Sequence, residues 1–577
     1  MMVFSELPSN RLPAAFASAV NRFLKLDELE QFYERSRSEK PLAGEMLREL
    51  GVRVQVSERD IARIPKKGAV IAVSNHPFGL LDGVILTDLL TKIRSDVRIL
   101  TNGMLGQVAE LARICIFVDP FDRPENKTAN GRALRAALTH VKKGGMLLIF
   151  PAGEVSHFDP KGGAIRDPEW RETAARLVRM TRARVVPIFV RGSNSLPFQM
   201  LGMVHPRLRT AALAGEFLNK RGQSVEVRIG SVIEPARVEA FATDAEAIGY
   251  LRRRSEWLSR RGEREQAGPA RSTEVAAPES AEDLAREVAQ LPSLCRMANV
   301  GNLEVYAAEA QQIPGILREI GRLREVTFRD VGEGTGRARD LDSFDAYYLH
   351  IFVWHRERQE VVGAYRVGDV PRILVRYGLE GLYTNTQFRF DSGFFRRLGP
   401  ALELGRSFVR AEYQKQFMPL ALLWRGICCW VARRPEYSTL IGAVSVSGQY
   451  SRSSRELIAA WFEGGRSTGE TGIVKPRRPL RGRWARGAMP AGIEELSEWV
   501  SDVETDGKGL PILVKQYAKL GGRILAFSVD PDFGNTLDGF VMLDLRQAPA
   551  ESLVRHMGKD GAATFFAWHR IAAQTAA

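Results

Sequence analysis

Cysteine is scarce in this chain: four residues in 577, Cys115, Cys295, Cys428 and Cys429. Two isolated thiols and an adjacent pair make no disulfide framework and no metal-ligand spacing, so a reducing cytoplasm is expected and a bound metal is not. Long apolar runs are missing too. A bilayer crossing needs about 20 apolar residues. The longest candidate, Phe417 to Ala432, is shorter and carries Arg425, so a buried helix is expected there. Met1 to Asn10 lacks the basic-then-apolar pattern of a secretory signal. No zinc knuckle and no aromatic strand of the RNA-binding type is present, which argues against a nucleic-acid partner. No internal repeat is found, so the two halves are expected to be different folds.

The length argues for two or more domains. Hydrophobic residues at 45% and charged residues at 26% suit a folded chain with a sizeable core. The net charge is +14, which favours an acidic partner: nucleic acid, an anionic membrane face or an acidic carrier protein, among which charge alone does not choose.

Residues 1–55 read as N-terminal helices. Leu26, Leu29, Phe32 and Tyr33 fall at helical spacing, for packing on the next domain or for lying on lipid. Residues 56–257 alternate short apolar runs with helical stretches. Strands are expected at 69–73, 97–100, 114–118, 146–150 and 185–190, and helices at 84–93, 133–141 and 170–182. That pattern predicts a largely parallel α/β sheet. Residues 258–284 have linker composition, and 285–577 form a second α/β or α+β region.

The first chemical signal follows the strand Val70–Val73. Asn75-His76-Pro77-Phe78-Gly79 makes a turn, and Asp82 stands six positions after His76. A histidine at a strand end can take a proton from a hydroxyl near neutral pH. A nearby carboxylate can fix its tautomer and stabilise the imidazolium. The alternative is a turn histidine beside a helix-capping aspartate. A second strand-end loop, Phe150-Pro151-Ala152-Gly153-Glu154, offers a close backbone approach at Gly153 and an orienting carboxylate at Glu154.

These blocks resemble the glycerolipid (PlsC-type) acyltransferase family. They occur in order as Asn75-His76 to Asp82, Ile116-Phe117-Val118-Asp119 with Arg123, Phe150 to Glu154, and Val186-Pro187-Ile188. The resemblance implies catalytic roles for His76 and Asp82. It implies substrate-binding roles for Asn75, Gly79, Arg123, Gly153 and Glu154, with Arg123 also readable as a surface arginine. Five residues separate His76 from Asp82, where the family has four. Glu154 follows its glycine instead of preceding it. Both departures resemble the hemolysin-like, ornithine-lipid branch and point away from a phosphate-bearing acceptor.

In the second half, Gly332-Glu333-Gly334-Thr335-Gly336 has the glycines of a phosphate loop, but no Gly-Lys-Ser/Thr follows. Ile351 to Trp354 and Val361 to Val367 read as a hairpin. Leu402 to Val409 reads as a later strand. This order resembles the GNAT fold. Asp340-Leu-Asp342, Val362-Gly-Ala-Tyr-Arg366, Glu403-Leu-Gly-Arg406-Ser407 and the block from Leu510 to Phe533 resemble the ornithine N-acyltransferase branch, related to acyl-homoserine-lactone synthases. Glu403 is then expected to bind the ammonium or relay its proton, Arg406 to place a carboxylate or the loop, and Ser407 to touch substrate. The alternative for Glu403 and Arg406 is a strand-end ion pair.

The glycine-rich pyrophosphate loop of coenzyme-A users is absent after Val409, where Arg410 to Lys415 follow. That implies acyl carrier protein as donor and no bound cofactor. Lys475, Arg477, Arg478, Arg481, Arg483 and Arg486 would suit an acidic carrier, or form a solvated loop.

The expected architecture is a PlsC-type α/β domain followed by a GNAT-like α+β domain. The expected activity is that of a bifunctional ornithine lipid synthase. The second domain would acylate the ornithine α-amine, and the first would acylate the 3-hydroxyl of the resulting lyso-ornithine lipid. Association with the inner-membrane surface is expected, because that intermediate is amphiphilic. A glycine or other aminolipid synthase, and a non-catalytic membrane or carrier-binding regulator, are the alternatives.

Overall fold

In the computed structural model, residues 26–38, 40–102, 113–118, 127–160, 162–204, 206–262, 272–465, 472–480, 482 and 489–571 are described. The chain divides into two compact units, Met1–Arg261 and Gly262–Ala577.

The first unit is built on a seven-stranded sheet. Its strands are β1 (Arg53–Gln55), β2 (Val70–Ser74), β3 (Val97–Asn102), β4 (Cys115–Val118) and β5 (Met146–Ile149), then β8 (Arg184–Val190) and β9 (Ser224–Ile229). A separate hairpin, β6 (His157–Asp159) with β7 (Ala164–Arg166), lies between β5 and β8 in the chain. The sheet order is β1-β9-β8-β2-β5-β3-β4, and every pair is parallel except β8 with β9. Strands β2 and β5 are buried at every position, as parallel strands covered on both faces must be. The helix Leu80–Thr91 leaves the C-terminal end of β2. In the helix Leu26–Ser36, Leu29, Phe32 and Tyr33 are buried, and the Phe32 ring meets Phe217 edge-on at 5.5 Å. Their apolar stripe therefore packs against protein.

The second unit carries an eight-stranded sheet in the order β10-β11-β12-β13-β15-β16-β19-β18. The strands are β10 (Arg296–Val300), β11 (Leu303–Glu309), β12 (Leu349–His355), β13 (Glu360–Asp369), β15 (Ala401–Val409), β16 (Thr439–Val446), β18 (Arg523–Asp530) and β19 (Thr536–Asp544). A short pair, β14 (Phe388–Phe390) with β17 (Val474–Pro476), stands apart. All pairs in the large sheet are antiparallel except β15 with β16. Helix Met418–Ala432 buries Leu422, Leu423, Ile427 and Val431, while Phe417 before it is exposed.

Two features shape the middle of this sheet. Between Ala364 and Arg366 on β13, β15 spends one extra residue, a bulge in which Arg406 takes φ +49°. The parallel pairing of β15 with β16 runs only from Ala401 and Thr439 to Leu404 and Gly442. There the backbones are so close that a Cβ on Gly442 would stand 2.2 Å from the Leu404 carbonyl oxygen. Beyond that point the strands part.

At the segment 258–284, Leu258–Arg260 form a 3-10 turn with Leu258 buried. The Thr273 and Ala276 amides bond to the Gly336 and Ala338 carbonyls, and a helix begins at Ala281. The part between, 263–271, lies outside the described residues.

Candidate active sites

In the first unit, the turn after β2 brings His76 and Asp82 together. His76 Nδ1 stands 3.0 Å from Asp82 Oδ2, out of line for a straight hydrogen bond. Asp82 is fully buried, and the same Oδ2 accepts the Phe78 and Gly79 amides at 2.8 and 2.9 Å. Asp82 thus caps its helix and faces the histidine at once. Burial pushes its carboxyl up, while His76 and the two amides pull it back. The His76 ring stacks on Phe150 at 4.2 Å and is 18% exposed. Its Nε2 has no protein partner among the described residues.

Gly79 has φ +83°, and a Cβ there would stand 3.0 Å from Leu213 and 3.1 Å from Val155. Both the backbone and the packing therefore demand glycine. Gly153 (φ +69°) is exposed in the loop after β5, and Glu154 beside it is half-buried. Arg123 lies outside the described residues.

Asn75 departs from the expected substrate role. Its amide donates to the Val190 carbonyl at 2.9 Å and accepts the Val190 N–H at 2.7 Å. Both ends of the side chain are spent clasping β2 to β8.

One residue was not anticipated. Asp167, 91 positions from His76, accepts the His76 amide at 3.1 Å on Oδ1. The same oxygen takes the Ser156 hydroxyl, and Oδ2 takes the Trp170 indole N–H at 2.9 Å. The Ser156 amide closes the loop on the His76 carbonyl at 2.8 Å. This clasp joins the β2 and β5 loops around His76.

In the second unit, a buried charge network lies where β13 and β15 meet. Arg366, 1% exposed, reaches Asp342 at 2.6 Å and Asp345 at 3.3 Å, and Arg324 reaches Asp345 at 2.8 Å. Burial works to raise Asp345, but the two guanidinium groups overcome it and hold the carboxyl low. Burial, and then Arg324, pushes His350 down to about 4. Arg406 Nε stands 3.2 Å from Asp340, and its Nη1 donates to the Tyr383 hydroxyl at 3.2 Å. The Arg406 guanidinium also lies 4.5 Å from the centre of the Phe533 ring. The motifs around Asp340, Arg366 and Arg406 therefore converge. Ser407 is half-buried on β15.

Glu403 behaves otherwise than expected. It is 1% exposed and accepts the Tyr348 hydroxyl, the Tyr383 amide at 3.1 Å and the Thr384 amide at 2.7 Å. Three protein donors engage its carboxylate, two on Oε2 and one on Oε1, and so anchor the turn carrying Tyr383.

The glycine loop is also resolved by its contacts. The Thr335 and Gly336 amides and the Thr335 hydroxyl donate to Glu325, whose side chain is fully buried. A protein carboxylate sits where a phosphate would have to be. Of the basic stretch, Lys475, Arg477 and Arg478 are exposed, and Arg481, Arg483 and Arg486 lie outside the described residues.

A family profile described as Acyltransferase matches residues 28–263, and one described as Acetyltransferase (GNAT) domain matches residues 323–425. The lyso-glycine lipid O-acyltransferase of Phocaeicola vulgatus is 30% identical over 254 residues, 42% of this chain and 86% of that one. The glycine N(alpha)-acyltransferase of the same organism is 29% identical over 304 residues, 49% of this chain and 92% of that one. The solved 1-acyl-sn-glycerophosphate acyltransferase PlsC of Thermotoga maritima aligns at 17% identity with a TM-score of 0.24, covering 42% of this chain and 90% of that one.

Proposed function

The chain belongs to the acyltransferase family, with a GNAT domain in its second unit, and on that premise we propose that it makes a diacylated aminolipid in two steps. The observation that carries this reading is that one chain aligns both with a glycine N-acyltransferase and with a lyso-glycine lipid O-acyltransferase. The chemistry fits that order. Acylating an amine with a 3-hydroxyacyl group creates the hydroxyl that an O-acyltransferase needs.

In the first unit, His76 Nε2 takes the proton of that 3-hydroxyl. The oxygen attacks the carbonyl of a thioester, a C–O bond forms, and the C–S bond breaks. The imidazolium then returns its proton to the departing thiolate. Asp82 faces Nδ1 and stabilises the charged form of the ring, and Asp167 holds the backbone of the turn. No protein nucleophile is required.

In the second unit, the amino acid is ornithine, acylated on its α-amine, and the donor is a 3-hydroxyacyl carrier protein. A glycine head group is the second reading, favoured by what the relatives above are called. No helix among the described residues is long and apolar enough to cross a membrane. The amphiphilic intermediate supports work at the inner-membrane surface.

His76→Ala tests the assignment. Cells expressing the variant should accumulate monoacyl aminolipid and lack the diacyl form by mass spectrometry. Diacyl lipid at the wild-type level would remove His76 from the mechanism.

A further inference from the structure

The parting of β15 from β16 leaves an opening in the second sheet. β15 stays with β13 to Val409, and β16 stays with β19 to Val446. On the β16 side, Ser445 lies opposite Asp538 of β19, and Asp538 lies opposite Ser528 of β18. The Ser445 hydroxyl donates to Glu333 Oε2 at 3.0 Å. Cross-strand neighbours have Cβ atoms about 5 Å apart, so the Glu333 and Asp538 carboxyl groups are neighbours above one face.

Glu333 is held there by a rigid turn after the helix Pro314–Asp330. Its amide bonds to the Phe328 carbonyl at 2.8 Å, and the Ser447 hydroxyl bonds to the Val331 carbonyl. The turn at Gly534 presses so close that a Cβ there would stand 2.1 Å from the Gly332 oxygen.

Both side chains are more than nine-tenths buried, Glu333 at 9% exposure and Asp538 at 2%. Each has one hydroxyl partner, Ser445 for Glu333 and Thr536 for Asp538 at 3.0 Å. Glu333 Oε1 and Asp538 Oδ2 have no partner, and neither group has an ion pair, among the described residues. The neighbouring acids differ. Asp340 faces Arg406, Asp342 and Asp345 face Arg366, and Asp530 accepts the Gln387 amide at 2.7 Å and the Asp532 N–H at 3.0 Å. Among the described residues, these two adjacent buried carboxyl groups have no cation paired with them. Burial pushes each up to about 7. Asp530 and Glu333 raise Asp538 further, and Arg406 lowers both members of the pair.

An ammonium group supplies one positive charge and three donors, which matches two unfilled carboxylate oxygens. Glycine brings only the amine that must lose its proton to react. A diamino acid brings a second ammonium that keeps its charge near neutral pH. We propose that Glu333 and Asp538 together seat the side-chain ammonium of a diamino acid such as ornithine, and so set the head-group choice of the second unit. This rests on the aminolipid reading above.

The test uses the purified full chain with a 3-hydroxyacyl carrier protein as donor, and ornithine and glycine as separate acceptors. The readout is the ratio of kcat/KM for ornithine to that for glycine, which does not depend on how much of a variant is folded. Glu333→Gln and Asp538→Asn should each lower the ratio about tenfold or more, chiefly through the KM for ornithine. In the wild type, that KM should fall as pH rises through about 7, and Asp538→Asn should flatten the fall. An unchanged ratio in both variants overturns the proposal. So does a wild type that accepts glycine and refuses ornithine, though the aminolipid reading then stands. A wild type that acylates neither overturns both.

Discussion

At the scale of single residues, the proposal that His76 is the base rests on what its neighbours do to it. Nδ1 faces the buried Asp82, the ring lies flat on Phe150, and the backbone is tied to Asp167. Asp167→Asn keeps the size of the side chain but weakens acceptance from the His76 amide and the Trp170 indole. O-acylation kcat should fall by up to about a hundredfold with little change in KM, the cost of a misplacement of roughly 1 Å. Steady-state kinetics on a synthetic lyso-lipid check this. Gly79→Ala faces both a left-handed backbone and contacts of 3.0 and 3.1 Å with Leu213 and Val155. It should cost on the order of 1–3 kcal/mol, seen as a lower Tm, and most of the O-acylation. His76 and Asp82 were legible in the sequence because one turn carries them both. Asp167 was not, because its partners come from distant loops and no local pattern marks an aspartate that receives a remote amide.

Elements explain the second site better than single residues do. The bulge in β15 puts Arg406 in a left-handed conformation, a strain that costs about 1 kcal/mol or more in a non-glycine residue. That strain lets a strand present Arg406 to Asp340 and Tyr383 while Glu403 anchors the turn bearing Tyr383. Glu403→Gln leaves one acceptor oxygen for three donors. It should lower stability by about 1–3 kcal/mol, measured by chemical unfolding. Strands β2, β5 and β8 were readable because buried parallel strands are continuous apolar runs. β1, three residues long with only its middle one half-buried, has no such signature. The donors around Glu403 escape the sequence for the same physical reason as Asp167 does. Tyr348, Tyr383 and Thr384 are brought to it by tertiary structure, and in the sequence Glu403 is only a charge on an apolar strand.

For the whole molecule, the proposed function gives the two units different reactions, so damage should separate. His76→Ala should stop the second acylation and spare the first. The second unit should also respond to pH through its two buried acids, Glu333 and Asp538. Glu333 and Asp538 rise from about 4 toward about 7 on folding. The folded state then holds protons that the unfolded chain has released, so the stability they contribute is present below about pH 4 and is lost as pH rises through about 7. Asp538→Asn should therefore gain stability relative to the wild type between pH 5 and pH 8, by on the order of a few kcal/mol at the upper end. Unfolding curves across that range would show the gap widen. A gap that narrows with rising pH would mean the carboxyl is paired.

The central claim is that one chain makes an aminolipid with two acyl groups. The measurement that meets it most directly is mass spectrometry of lipids extracted from a host that has no aminolipids, after expression of the intact chain. A new lipid is expected whose fragments give an amino-acid head group, one amide-linked 3-hydroxyacyl chain and one ester-linked acyl chain. A lipid extract unchanged from that of the empty host would contradict it.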